Sequence, residues 1–181
     1  MLSLRSKITE AVLGYFMLHE QAEMYGLEIA RRLGLDDGNL ARKLKELEQE
    51  GILKCRESGR QRYYSLDKSF PLLKQYKQII LKTTGLEHLL RDLFKKMNGV
   101  KEAYLFGSYA ANQMDSTSDI DVLAIGNYDT IELRKKLSQI QKTTDREINL
   151  VGMSPTEYEK RKKKKDSLIQ SFQKSKKIKL I

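Results

Sequence analysis

The chain has 181 residues, enough for one large domain or two small ones, each with its own core. Its single cysteine, Cys55, excludes an internal disulfide framework and a cysteine-built zinc site. The net charge of +10 is unevenly placed: residues 1–70 carry 12 basic and 11 acidic side chains, residues 101–155 carry 6 and 8, and residues 156–181 carry 10 and 3. A basic excess away from a mildly acidic centre points to phosphates as partners and leaves room for a cation between them.

Residues 5–18 have the apolar spacing of an amphipathic helix, with Ile8, Val12, Phe16 and Leu18 on one side. A break at Tyr25-Gly26 precedes a short second helix, Leu27 to Leu33, which Gly34 ends. Asp36 is the expected N-cap of a third helix, in which Leu40, Leu44 and Leu47 repeat at helical spacing. Gly51 stops it. Two extended stretches follow, around Lys54–Glu57 and Gln61–Leu66, and Ser58-Gly59-Arg60 joins them as a hairpin with a basic tip.

Three short helices and a basic hairpin, with Leu44-x-x-Leu47-x-x-x-Gly51-Ile52-Leu53 between them, resemble the winged helix-turn-helix regulators over about residues 3–69. The resemblance implies that the third helix enters the DNA major groove and the hairpin touches the backbone or minor groove. Asn39, Arg42 and Lys43 would then face DNA from the helix, and Arg56, Arg60 and Arg62 from the wing. The bland reading of Arg42 and Lys43 is the solvated face of an amphipathic helix.

Residues 70–98 form a connecting segment with two runs of helical apolar spacing, separated by Thr83-Thr84-Gly85. Such stripes mean core or a homodimer seam. The C-terminal domain is expected over 99–181. A buried strand, Ala103–Phe106, leads into Gly107-Ser108-Tyr109-Ala110, a small turn that opens a short helical segment. After a polar loop, Asp119-Ile120-Asp121-Val122-Leu123-Ala124-Ile125 reads as a second strand with two carboxylates at its start. Residues two apart on a strand face the same way, their Cα atoms about 6.6 Å apart. Two carboxylates so placed suit divalent cations.

Asp129-Thr130-Ile131-Glu132 and Ser154-Pro155-Thr156-Glu157 are capping boxes, the second with proline where a helix best tolerates it. The first opens a helix through Leu133, Leu137 and Ile140. Glu147–Val151 reads as a third strand, the second helix is expected to run through Arg161–Lys165 to Phe172, and residues 178–181 to add a last strand. The expected fold class is therefore a two-domain α+β or α/β protein. It has three helices plus a hairpin in front and a small mixed sheet flanked by helices behind.

Gly107-Ser108, ten intervening residues and Asp119-Ile120-Asp121 resemble the signature of the DNA polymerase beta-like nucleotidyltransferase superfamily, most of all its minimal branch. The resemblance covers about residues 99–155. It implies that Gly107 and Ser108 hold a nucleoside triphosphate and that Asp119 and Asp121 bind two magnesium ions, with manganese as the substitute. A third carboxylate on a neighbouring strand completes the set. Glu147 is the choice for it, where the family more often has aspartate, and Asp145 is the alternative. Asp119, Asp121 and Glu147 would thus be both catalytic and metal-binding. The branch commonly follows Gly-Ser-Tyr-Ala with Arg-Gly, where this chain has Ala111-Asn112 and so lacks a cation.

The implied reaction is transfer of a nucleoside monophosphate from an NTP, ATP first, to a hydroxyl of a small molecule or a protein such as a HEPN toxin. The other function class is a transcriptional regulator whose transferase-like domain senses nucleotide or mediates dimerisation. No apolar run spans a membrane and no secretory leader pattern opens the chain, so a cytoplasmic location without a membrane partner is expected. His19 and His88 have no ligand-like spacing, and the Arg161–Lys165 run reads as a solvated helix face.

Overall fold

The structure, a computed structural model, describes residues 6–115 and 118–181. Residue 5, the expected start of the first helix, and residues 116–117 of the ten-residue spacer lie outside the described residues. The chain divides into two compact units, Met1–His88 and Leu89–Ile181. Among the described residues, no helix is long and apolar enough to cross a membrane.

In the first unit, Ser6 caps α1 (Lys7–Leu18) by accepting from the Thr9 N–H. The strand β1 (Met24–Tyr25) leads directly into α2 (Gly26–Leu33), which ends on Gly34 in the left-handed conformation. Asp36 caps α3 (Asp37–Gln49), and Leu40, Leu44 and Leu47 are buried as their spacing requires. The hairpin is β2 (Leu53–Ser58) and β3 (Gln61–Leu66), paired from Leu53 opposite Leu66 out to Ser58 opposite Gln61.

The sheet order is β1-β3-β2, with Met24 and Tyr25 opposite Tyr64 and Tyr63. The sequence shows only a break at β1, because two residues carry no periodicity and their ladder partner lies far along the chain. The helix α4 (Leu73–Thr83) packs against α1, and Lys77 pairs with Glu20 just beyond that helix. The front of the connecting segment therefore belongs with the first unit.

The helix α5 (Leu86–Lys95) spans the division at His88. The second unit then runs β4 (Val100–Phe106), α6 (Gly107–Ala111), β5 (Ile120–Gly126), α7 (Thr130–Thr144) and β6 (Ile148–Met153). It finishes with α8 (Pro155–Lys163), α9 (Ser167–Lys174) and β7 (Ile178–Lys179). The four strands form one sheet in the order β6-β5-β4-β7, in which β5 and β6 are parallel and the other pairs antiparallel. This is the mixed α+β architecture expected.

Both capping boxes form: Asp129 accepts from the Ile131 and Glu132 N–H groups, and Ser154 from that of Glu157. On one sheet face Leu123, Ile125 and Met153 are buried under Ile169 and Phe172 of α9, with Tyr104, Phe106 and Tyr158 packed around them. One element departs from expectation. The helix expected from Pro155 to Phe172 is two helices, because Lys165 turns left-handed (φ 54°) and Asp166 caps a new start by accepting from the Leu168 and Ile169 N–H groups. A carboxylate that satisfies two free N–H groups makes a restart there more favourable than continuation.

Candidate active site

The strand β5 places Asp119 one residue before its start and Asp121 one residue after, both toward the same face. Pairing sets three strands level at Asp121: Phe106 of β4 on one side and Asn149 of β6 on the other. The Asn149 amide donates to Asp121 Oδ1 at 3.1 Å. The other oxygen, Oδ2, lies against the Gly107 backbone, where a Cβ atom would meet it at 2.3 Å. Gly107 also has φ +69°, a region that residues with a Cβ rarely adopt. The glycine is thus needed twice, for the sharp exit from β4 and for the carboxylate that fills the space beside it.

Ser108 and Tyr109 follow in α6, a single helical turn that ends on Asn112 in the left-handed conformation. The Ser108 carbonyl accepts from the Gln113 N–H at 2.9 Å, which ties the exit of the turn back to its entrance. Gly107 and Ser108 are half-buried, and Gly107 lies against Asp121. Ahead of Asp119, the Ser118 hydroxyl bonds Asp115, and the buried Arg146 donates from its guanidinium to the Ser118 carbonyl at 3.4 Å. Ser118, just ahead of Asp119, is therefore tied to the end of α7.

Burial pushes the Asp121 carboxyl up from the usual carboxylate range; the Asn149 amide opposes this, and the negative charge of Asp119 adds to it. A half-buried acid beside a second, exposed acid is a site short of positive charge. Two hard oxygen donors at one strand start fit a divalent cation such as magnesium or manganese, which would supply that charge. The donor set stops at two carboxylates: among the described residues, no three His, Cys, Asp or Glu side chains come together as a metal-binding group.

The sequence-derived choice of Glu147 as third carboxylate is not brought into such a group. The register places Asn149, not Glu147, opposite Asp121; Glu147 precedes β6, exposed, with its carbonyl accepting the Ile120 N–H at 2.9 Å. Asp145, the alternative, closes α7 in the left-handed conformation (φ 50°) and is exposed. Arg146 and Asn149 were not singled out from the sequence. Their roles depend on strand register and loop position, which local pattern does not carry.

The residues expected to face DNA lie in the first unit, and most meet acids there. Asn39 donates to Asp36, Lys43 and Arg42 pair with Glu46, Arg56 forms a two-bond pair with Glu23, and Arg62 meets Glu48 and Glu57. Arg60 is exposed at the hairpin turn.

A family model described as "Nucleotidyltransferase domain" matches residues 88–178, half of the chain. No curated protein sequence matches the chain significantly. Among solved structures, reduced HlyU from Vibrio cholerae N16961 is similar at 21% identity over 42% of this chain and 76% of its own, with a TM-score of 0.35. A toxin-antitoxin MntA-HpeT mutant is similar at 16% identity over 53% and 73%, TM-score 0.40. A toxin-antitoxin with AMP-PNP is similar at 19% identity over 52% and 72%, TM-score 0.37.

Proposed function

Because the chain belongs to the nucleotidyltransferase domain family, we propose that its second unit moves a nucleoside monophosphate from an NTP to a hydroxyl and releases pyrophosphate. The observation that carries this reading is Asp121, hydrogen-bonded by Asn149 on one oxygen and packed with the other in the space that Gly107 leaves for lack of a Cβ, two residues from Asp119. In this reading Asp119 and Asp121 hold a divalent cation, magnesium first and manganese as the substitute. Gly107 and Ser108 take the triphosphate of the nucleotide, ATP first. The cation, when bound, offsets the charge of the phosphates and of the leaving pyrophosphate. The second-ion role that the resemblance implies for Glu147 has no three-acid group behind it among the described residues, so the proposal carries one ion held by Asp119 and Asp121.

The acceptor in this proposal is a hydroxyl on a small molecule or on a protein such as a HEPN toxin. Incubation with labelled ATP or GTP and magnesium, alone and with the products of neighbouring genes, tests it. Label transfer by the wild-type protein should fall at least a hundredfold in Asp119→Ala plus Asp121→Ala. Equal labelling by the two proteins, or none by either with any acceptor, would sink the enzymatic reading.

A second reading is favoured by Asn149 itself. An uncharged amide stands where a third acid would complete the site, which suits a unit that holds nucleotide with little turnover and reports it to the first unit. In both readings the first unit is proposed as a DNA-binding winged helix, supported by its order of three helices and a hairpin. Titration against DNA from upstream of its own gene, with Arg42→Ala as the weakened variant, tests that part.

A further inference from the structure

The row of side chains that begins with Asn149 and Asp121 does not end at Phe106. The strand β7 pairs antiparallel with β4, Ile178 opposite Leu105 and Lys179 opposite Tyr104. Continuing that register by one residue sets Lys177 level with Phe106, so Asn149, Asp121, Phe106 and Lys177 fall in line across four strands. Side-chain contacts place Lys177 on the same face. The Phe172 ring stands edge-on to that of Phe106, centroids 5.5 Å apart, and the Lys177 ammonium lies over the Phe172 ring, 4.8 Å from its centroid.

The Lys177 ammonium donates to the Gln173 carbonyl at 3.2 Å and is exposed. Residues 167–181 contain four lysines and no acid. The chain thus threads its basic end along the sheet edge, beside its acidic centre. Adjacent strands lie about 4.8 Å apart, so Lys177 stands roughly 10 Å from Asp121 across β4. A four-carbon side chain and the tail of a bound triphosphate together bridge that span. The segment Gly107–Ala111, which precedes Asp121 in sequence and packs beside it through Gly107, contributes no cation.

We infer that Lys177 is the side chain that grips the terminal phosphates of the nucleotide and the pyrophosphate formed from them. The inference rests on the nucleotidyl-transfer reading above. Phe172 and the Gln173 carbonyl hold the ammonium at the sheet edge when no nucleotide is bound, and phosphate oxygens replace the carbonyl as its acceptor.

Calorimetric titration with ATP, AMP and inorganic pyrophosphate, each with magnesium, tests this on the full chain. In Lys177→Ala, affinity for ATP and pyrophosphate should fall about tenfold, the size of a charge-assisted hydrogen bond, while affinity for AMP changes less than twofold. Lys177→Arg should restore ATP binding, and Lys179→Ala, one step further from Asp121 on the same face, should lose less. Manganese binding followed by paramagnetic resonance should be unchanged in Lys177→Ala, which separates a lost phosphate contact from a disturbed fold. Unchanged ATP affinity in Lys177→Ala, or equal losses for ATP and AMP, overturns the role of Lys177 alone. Failure of the wild-type protein to bind ATP or pyrophosphate overturns the reading of the site and the inference with it.

Discussion

Replacement of Gly107 by alanine is expected to reduce nucleotidyl transfer on the order of a hundredfold and to destabilise the second unit by about 1–3 kcal/mol. Two separate causes add. At φ +69° a Cβ atom strains the backbone whatever surrounds it, and here it would also sit 2.3 Å from Asp121 Oδ2. The strand β5 is paired on both sides and cannot retreat, so the carboxylate must rotate. Rotation breaks its bond to Asn149 and changes the geometry offered to a cation. Thermal unfolding and manganese titration check the two effects separately. A variant that unfolds earlier yet binds manganese as the wild type does would show that Asp121 does not depend on this glycine.

The second large effect is expected from Asn149→Asp. The new carboxylate would face Asp121 across the parallel pair β5–β6, beside a carboxyl whose own charge is already disfavoured by its partial burial. Without divalent cation the variant should unfold at lower temperature than the wild type, because like charges meet at short range and the amide donor is gone. With manganese the order should reverse. A third hard oxygen ligand is expected to tighten cation binding by about tenfold or more, since ligand charge tunes such sites. Cation held at a hundred times its Kd stabilises by about 2.7 kcal/mol. Melting curves with and without manganese provide the check, and Asn149→Ala separates loss of the amide from gain of the acid. Should the added acid fail to strengthen manganese binding, Asn149 is not at the cation site. If it also raises turnover, the native amide is what holds the wild-type enzyme back.

Much of the fold is legible in the sequence where the signal is short-range. Asp36, Asp129 and Ser154 cap the helices their spacing predicts, because an N-cap needs only a side-chain oxygen and a free N–H two or three residues on. Leu40, Leu44 and Leu47 are buried because one face of a helix is fixed by its period. The break between α8 and α9 is hidden in a run of lysines, none of which announces a left-handed residue. Its cue was Asp166, a capping acid inside an otherwise continuous pattern.

The site is legible in part for the same reason. Gly107 and Asp121 lie fourteen positions apart, yet they meet because β4 and β5 are neighbours in one sheet. On the third strand, position in the sequence does not decide which residue faces which carboxylate. Glu147 is the acid nearest the expected strand start, but parallel register decides which residue faces Asp121, and it selects Asn149. Lys177 lay further out of reach of sequence reasoning. Its place depends on an edge strand of two residues that returns to the sheet after two helices.

The ion pairs of the first unit bear on how it would exchange partners. A nucleic acid normally gains much of its affinity for a basic surface by releasing small ions condensed on its phosphates. At Arg56, Arg62 and Lys43 the protein carries its own counterions in Glu23, Glu48 and Glu46. A phosphate arriving there trades places with a carboxylate that stays tethered nearby and repels it, so much of the mixing entropy that drives such binding is withheld. Acids built in this way act as a threshold. If the first unit binds DNA as proposed, they would discourage loose attachment to any polyanion and leave the decision to shape and base contacts.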